Sequence, residues 1–353
     1  MDDNKKGTSL SYIQKAIVES KASFDGIRFL GNDETRDDIK TSVLFEPNAP
    51  ELMPIDKGVA QPKDPIRIFA VPPNISIPDR GWQKTSYSKL NVKQDPLLLT
   101  HEEPGDDAYD QFIFKKMRKG AQTGNFLHDV FEHIDFTSPD TWKYSVRTAL
   151  NRYPGTGVKI EDHQDLMNQL LDHVTGTILR GEDGNSFCLN SIPRASRLNE
   201  LEFDLPLSSI DWNLVPQFMG PQNIPIRINR ESTITGGILN GKVDLFFEKD
   251  GRYYILDWKS NHLGNRAEDY HDDAMATAME DNNYHLQYYL YCLALYRYLQ
   301  TRISDFDYET QFGGVYYLFV RGMRKESTTG IYFHKPLLED LLILEEAMLK
   351  QPV

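Results

Sequence analysis

Asp244, Asp257 and Lys259 fall in the stretch KVDLFFEKDGRYYILDWKS, residues 242–260, within apolar and aromatic runs that read as buried strands. Bare carboxylates are costly in such surroundings unless something compensates them. Asp250-Gly251 is a strong hairpin signal, because a type I′ turn needs positive φ at both central positions. With those two residues as the loop, Lys249 pairs with Arg252, and counting back along both strands sets Asp244 opposite Asp257. Cross-strand partners have Cβ atoms about 4.5–5.5 Å apart, and like charges there are destabilising. Lys259 lies two residues past Asp257 and therefore on the same face. Three arrangements follow: a solvated pair screened by salt, carboxylates neutralised by Lys259, or a divalent cation. The last needs a third ligand, and an all-oxygen pair suits Mg²⁺.

The stretch GAQTGNFLHDVFEHI supplies a candidate. Gly120, Gly124, His128 and Glu132 recur every four residues and so form one stripe of a helix. Glycine inside a helix costs about 1 kcal/mol relative to alanine, so two on one stripe predict close approach to another backbone. A ligand-capable imidazole and a carboxylate follow on that face. A packed helix with a satisfied core histidine and a salt-bridged Glu132 is the plainer arrangement. His133 and His101 lie off the stripe and read as surface residues.

The elements that must position these groups are legible in outline. HQDLMNQLLDHVTGTIL (163–179) predicts an amphipathic helix and ELEFDLPL (200–207) a strand. A long helix over roughly 267–302 contains YHLQYYLYCLALYRYL, FGGVYYLFVRG (312–322) reads as a buried strand with a turn, and LLEDLLILEEAML as a closing helix. Helices flanking a short mixed sheet make this an α/β chain. Upstream, a short helix is expected over 10–23 and an isolated strand at IRIFAV (66–71). Eight of the 19 prolines lie between Pro47 and Pro78, which suits an extended linker. HEEPGDDAYD (101–110) reads as solvated surface. The compact domain is expected over 83–353, preceded by a separate segment, 1–82.

Whole-chain properties exclude several classes. With 39 basic and 52 acidic residues the net charge is −13, so no global basic character advertises nucleic-acid binding. A local basic groove or a bound metal overrides that argument. Two cysteines, Cys188 and Cys292, cannot build a disulfide framework, a four-cysteine zinc site or an iron–sulfur cluster. The polar N-terminus and the lack of a long apolar run predict a soluble, intracellular protein with no membrane partner.

The ordered set of Gly-xxx-Gly-xxx-His128-xxx-Glu132, Asp244, Asp257-Trp258-Lys259 and Gln287-xxx-Tyr291 resembles RecB-type nucleases of the PD-(D/E)XK superfamily. GRYYILDWKSNHLG, LQYYLYCLALYRYL, FGGVYYLFVRGM and TSYSKL extend the resemblance over roughly residues 83–340. It implies a restriction-endonuclease-like core and a metal-dependent deoxyribonuclease of the exodeoxyribonuclease V type, bacterial and cytoplasmic. Its substrate would be DNA, mainly single-stranded, cut to 5′-phosphate products in double-strand-break repair, recombination and removal of foreign DNA. The implied metal ligands are His128, Asp244, Asp257 and the Trp258 backbone carbonyl. Mg²⁺ is the expected cofactor, with Mn²⁺ a substitute and Ca²⁺ non-productive. Lys259 would orient or help deprotonate the attacking water.

Family members carry a further acidic residue on the strand before the hairpin, here Glu200 or Glu202, with Glu200 favoured. Gln287 and Tyr291 would touch the DNA backbone or buttress the site. Arg321, Arg324 and Lys325 are candidate phosphate contacts. Implied partners are RecC- and RecD-like subunits and a recombinase. No Gly-x-x-x-x-Gly-Lys-Ser/Thr loop occurs, so the resemblance is to a nuclease portion without its ATP-driven motor, residues 1–82 resembling the end of a helicase region and a tether. Two rivals share the motifs: a non-catalytic docking module for DNA or a recombinase, and the nuclease of an AddAB-type complex.

Overall fold

The computed structural model describes residues 28–31, 41–42, 83–86, 107–182, 184–207, 224, 226 and 237–349. The helix expected over 10–23, the strand at 66–71 and His101 lie outside them. Among the described residues no helix is long and apolar enough to cross a membrane.

One mixed sheet organises the chain. Its strands are β1 (Arg28–Gly31), β2 (Thr41–Ser42), β3 (Gln83–Ser86), β4 (Arg197–Leu207), β5 (Gly237–Lys249), β6 (Arg252–Lys259), β7 (Phe312–Phe319) and β8 (Ile331–His334). They run β8-β7-β6-β5-β4-β1-β2, with β3 pairing parallel to β5. The β6–β7 pair is parallel, and its neighbours β5–β6 and β7–β8 are antiparallel. Every residue of β7 and all of β6 after Arg252 are buried, as expected of central strands covered on both faces. β1 comes from the segment read as a tether, yet it pairs antiparallel with β4 through Arg28↔Asp204 and Leu30↔Glu202. The sheet thus extends past the boundary expected at residue 82.

Helices cover both faces. In α1 (Ala121–His133) Phe131 stacks on Trp258 at 4.3 Å. The neighbours of Trp258 point the other way, and Lys259 reaches Gln287 of α5 (Tyr284–Arg302). Alternation along β6 therefore assigns α1 and α5 to opposite sides. Against α1 pack α2 (Trp142–Arg152) and, through α2, α3 (Ile160–Gly176); α6 (Leu338–Leu349) packs on α5.

The long helix expected over 267–302 is broken. Residues 267–270 form a 3₁₀ turn, α4 covers Asp272–Asp281, and Asn283 adopts φ +55° before α5 begins. Asparagine tolerates this left-handed conformation, which ends one helix and redirects the next. The described part of the acidic stretch, 107–110, also differs from a solvated loop. Asp107 caps a short helix, accepting from the amides of Tyr109 and Asp110, and Tyr109 is buried.

Two histidines are enclosed between α5 and β8. His285 Nδ1 lies 3.0 Å from the Tyr288 hydroxyl, and the His334 ring is 5.3 Å from that of Tyr288. Burial, and for His285 the nearby His334, lowers both imidazoles to about 4. The unfolded chain then binds more protons between about pH 4 and 6.5, so this stabilisation is complete above 6.5 and is lost as pH falls toward 4. It should amount to about 2 kcal/mol per histidine by pH 5. Urea unfolding in chelator tests this: between pH 7.5 and 5.0, His334→Gln should lose about 2 kcal/mol less stability than the wild type. Equal losses would show that His334 does not titrate as its burial requires.

Candidate active site

The site is built where two ladders are interrupted. Asp250 and Gly251 have φ of +52° and +79°, and the β5–β6 register runs from Lys249↔Arg252 to Leu245↔Leu256. One step further the strands part. Asp244 Oδ2 accepts a hydrogen bond from the Trp258 amide at 2.9 Å and lies 3.2 Å from His128 Nδ1. On the other side, β4 pairs with β5 through Asn199↔Leu245 and Leu201↔Val243, skipping Glu200 opposite Asp244. Glu200 has φ +55°, an uncommon and strained conformation for a residue with a side chain. The result is one cluster in which single ligand atoms of His128, Glu200 and Asp244 lie within 4.8 Å of one another. Lys242 forms an ion pair with Glu200.

Asp257 and Lys259 complete the group from β6. Lys259 Nζ is 2.5 Å from Asp257 Oδ2, but the approach is off-line, and no well-directed hydrogen bond reaches that buried oxygen. The ammonium also donates to Gln287 Oε1 at 3.1 Å and lies 3.9 Å and 4.7 Å from the ring centroids of Tyr284 and Tyr317. Gln287 is itself fixed, receiving the Tyr317 hydroxyl at 3.0 Å and donating to the Tyr291 hydroxyl at 2.9 Å.

The electrostatics follow from this crowding. Burial, then the neighbouring Asp244 carboxylate, pushes Asp257 up to about 7 against the pull of Lys259 and His128. Burial would also raise Asp244, yet His128, Lys259 and the Trp258 amide together bring it below the usual carboxylate range. For His128 and Lys259 burial works downward, and the carboxylates more than reverse it, leaving both raised. Two carboxylates and an imidazole held this close favour a bound cation.

The tightest cluster therefore differs from the set suggested by motif order: Glu200 joins His128 and Asp244, while Asp257 leans on Lys259 beside them. Trp258 contributes its amide to Asp244 and its ring to the α1 interface. Glu202 stays apart, because its partner on β5 is Lys242, two residues from Asp244. Glu132 lies one turn beyond His128 and groups instead with Asp129 and His133. Of the glycine stripe, only Gly124 is inside α1; a Cβ there would meet Ser260 Oγ at 3.1 Å. Gly120 precedes the helix with φ +105° and has nothing within 4 Å of a Cβ, so conformation explains it and close packing does not. Tyr291 is buried edge-on against Phe203, and its hydroxyl accepts from Gln287, a position that supports the site.

Arg321 corrects a second expectation. It is fully buried, and its guanidinium donates to the carbonyls of Ile113 (2.5 Å), Met117 (3.2 Å), Arg118 (2.6 Å) and Ser260 (3.1 Å). Four carbonyls without their donor would remain buried, so Arg321→Ala should cost about 3 kcal/mol or more in chemical denaturation. A DNA contact would instead leave stability unchanged. Arg324 is engaged with Asp110 and lies over the Tyr109 ring, and Lys325 pairs with Asp172. Sequence reasoning missed Tyr284, Tyr317 and Lys242. Nothing in local spacing marks them, since each meets the site only through sheet pairing or helix docking.

The donor set fits a divalent cation: one imidazole, clustered carboxylates and a buried carboxylate oxygen lacking a directed partner. Residues 109–350 match the model of the PD-(D/E)XK nuclease superfamily. The chain is similar to the RecBCD enzyme subunit RecB of Escherichia coli strain K12, 32% identical over 76% of this chain and 23% of that protein. The Haemophilus influenzae subunit is 44% identical over 63% of this chain and 18% of its own length. The Mycobacterium tuberculosis subunit is 29% identical over 69% and 26%, respectively. The chain thus spans about a quarter or less of the relatives it matches.

Proposed function

The chain belongs to the PD-(D/E)XK nuclease superfamily, and from that premise we propose that it hydrolyses DNA phosphodiester bonds, mainly of single strands, as the nuclease portion of a RecBCD-type helicase–nuclease. Superfamily members depend on divalent metal. The observation that carries the reading is the meeting of His128, Glu200 and Asp244 beside the Asp257–Lys259 pair. Those four acidic and imidazole groups, with the Trp258 carbonyl, would hold the ion. Mg²⁺ is the proposed ion and Mn²⁺ a substitute, because one imidazole among oxygens suits both. When bound, the ion lowers the pKa of a water and offsets charge gathering on the phosphoryl oxygens.

The remaining work falls to the protein's own residues. Lys259, salt-bridged to Asp257 and framed by Tyr284 and Tyr317, is a fixed positive charge. It would orient the attacking water and stabilise a non-bridging oxygen. Gln287 holds the ammonium from behind, with Tyr317 and Tyr291 fixing its amide. The relatives are RecB subunits of RecBCD enzymes, so RecC- and RecD-like subunits and a role in double-strand-break repair are part of the proposal. Incubating the chain with linear single- and double-stranded DNA tests it. Single strands should be degraded with Mg²⁺ and spared with Ca²⁺ or chelator. Cleavage that persists in chelator would overturn the reading.

A further inference from the structure

Arg321 lies inside the protein, and what it holds there is a loop of cations. In residues 115–119, KKMRK, the side chains of Lys116, Arg118 and Lys119 are exposed and Met117 is buried between them. Among the described residues, no carboxylate lies within ion-pair distance of these three. The loop is fixed from two sides. Arg321 binds the carbonyls of Ile113, Met117 and Arg118, and the Arg118 amide donates to Thr156 O at 2.8 Å. Gly157, with φ +80°, lets that turn press on Lys116 O, where a Cβ would sit 2.3 Å away.

The location matters as much as the charge. The same guanidinium binds the carbonyl of Ser260, the residue after Lys259, and Ser260 Oγ packs against Gly124 of α1. One buried arginine therefore ties the cationic loop to the end of the strand that carries Asp257 and Lys259. A polyanion approaching a chain of net charge −13, at a site built from Glu200, Asp244 and Asp257, needs attraction from beside that site.

We propose that the exposed face of residues 115–119, through Lys116, Arg118 and Lys119, binds phosphates of a single DNA strand flanking the one presented to Lys259. This rests on the nuclease reading above. A rigid row of cations beside the site would track the backbone without reading sequence.

Fluorescence anisotropy of a labelled oligothymidylate, with the full chain in chelator across a salt series, tests the proposal without cleavage. Lys116→Ala/Arg118→Ala/Lys119→Ala should weaken binding roughly tenfold or more at low salt and flatten the log–log salt dependence by about 2. Lys143→Ala/Arg147→Ala, on the exposed face of α2, should change neither. Unchanged affinity and slope in the triple variant would overturn the proposal, as would a loss confined to the α2 pair. If the triple variant melts early, Lys116→Gln/Arg118→Gln/Lys119→Gln, which keeps most of the side-chain bulk and removes the charge, decides: weakened binding with a flatter salt dependence supports the proposal, and wild-type binding overturns it. Loop-dependent binding without Mg²⁺-dependent cleavage would uphold this inference and remove the nuclease reading. Cleavage with loop-independent binding would do the reverse.

Discussion

Asp257→Ala is expected to abolish metal-dependent DNA cleavage, lowering the rate by on the order of a thousandfold or more, or about 4 kcal/mol of transition-state stabilisation. Asp257 is 2% exposed, its Oδ2 lacks a well-directed hydrogen bond, and it stands beside Asp244 and Lys259. Removing it takes away a carboxylate for the ion and the counter-charge that holds Lys259. The fold should survive, because one side chain is shortened at the edge of a large core and Asp244 remains to face the Lys259 ammonium. The variant should keep a cooperative unfolding transition in chelator and should show no saturable Mg²⁺ binding by calorimetry. Cleavage at the wild-type rate would sink the assignment.

Lys259→Met is expected to lower the maximal rate roughly a hundredfold to a thousandfold, the scale seen when a preorganised charge-stabilising donor is removed. Its signature differs from that of Asp257→Ala, because Lys259 is not a metal ligand. Calorimetric Mg²⁺ affinity should stay within about tenfold of the wild type while turnover collapses. Lys259→Arg should not rescue it. The ammonium sits 3.9 Å from the Tyr284 centroid and 3.1 Å from Gln287 Oε1, and a planar guanidinium cannot occupy that pocket as a point charge. Loss of metal binding matching that of Asp257→Ala would move Lys259 from water and phosphate to the ion.

Local rules carried much of this site. Asp250-Gly251 demanded a tight turn, and the resulting count set Asp244 opposite Asp257; the register follows that count as far as Leu245↔Leu256 and opens one step before the pair itself. The four-residue spacing put Gly124 and His128 on one stripe of α1. Periodicity was less informative where backbone conformation changes. Asn283 is invisible to a hydrophobic pattern that runs continuously through 267–302, yet its left-handed φ divides the helix in two. Arg321 failed as a DNA contact because a cation after a strand looks alike whether it meets phosphates or four backbone carbonyls.

What the residues alone determined was chemistry and short-range register: which side chains could hold a cation, which strands they sit on, and the α/β class. Turn geometry and side-chain period act over a few residues, so they survive without knowledge of the fold. Tertiary structure decided which acid joins His128 and Asp244. Glu200 and Glu202 are equivalent by alternation, and only the skipped pair at Glu200, with its φ of +55°, brings the first into the cluster. It also decided what surrounds Lys259, since Gln287, Tyr284 and Tyr317 come from α5 and β7. Such contacts depend on how a distant helix docks and how parallel strands pair, and neither quantity is written in the spacing of residues along one segment.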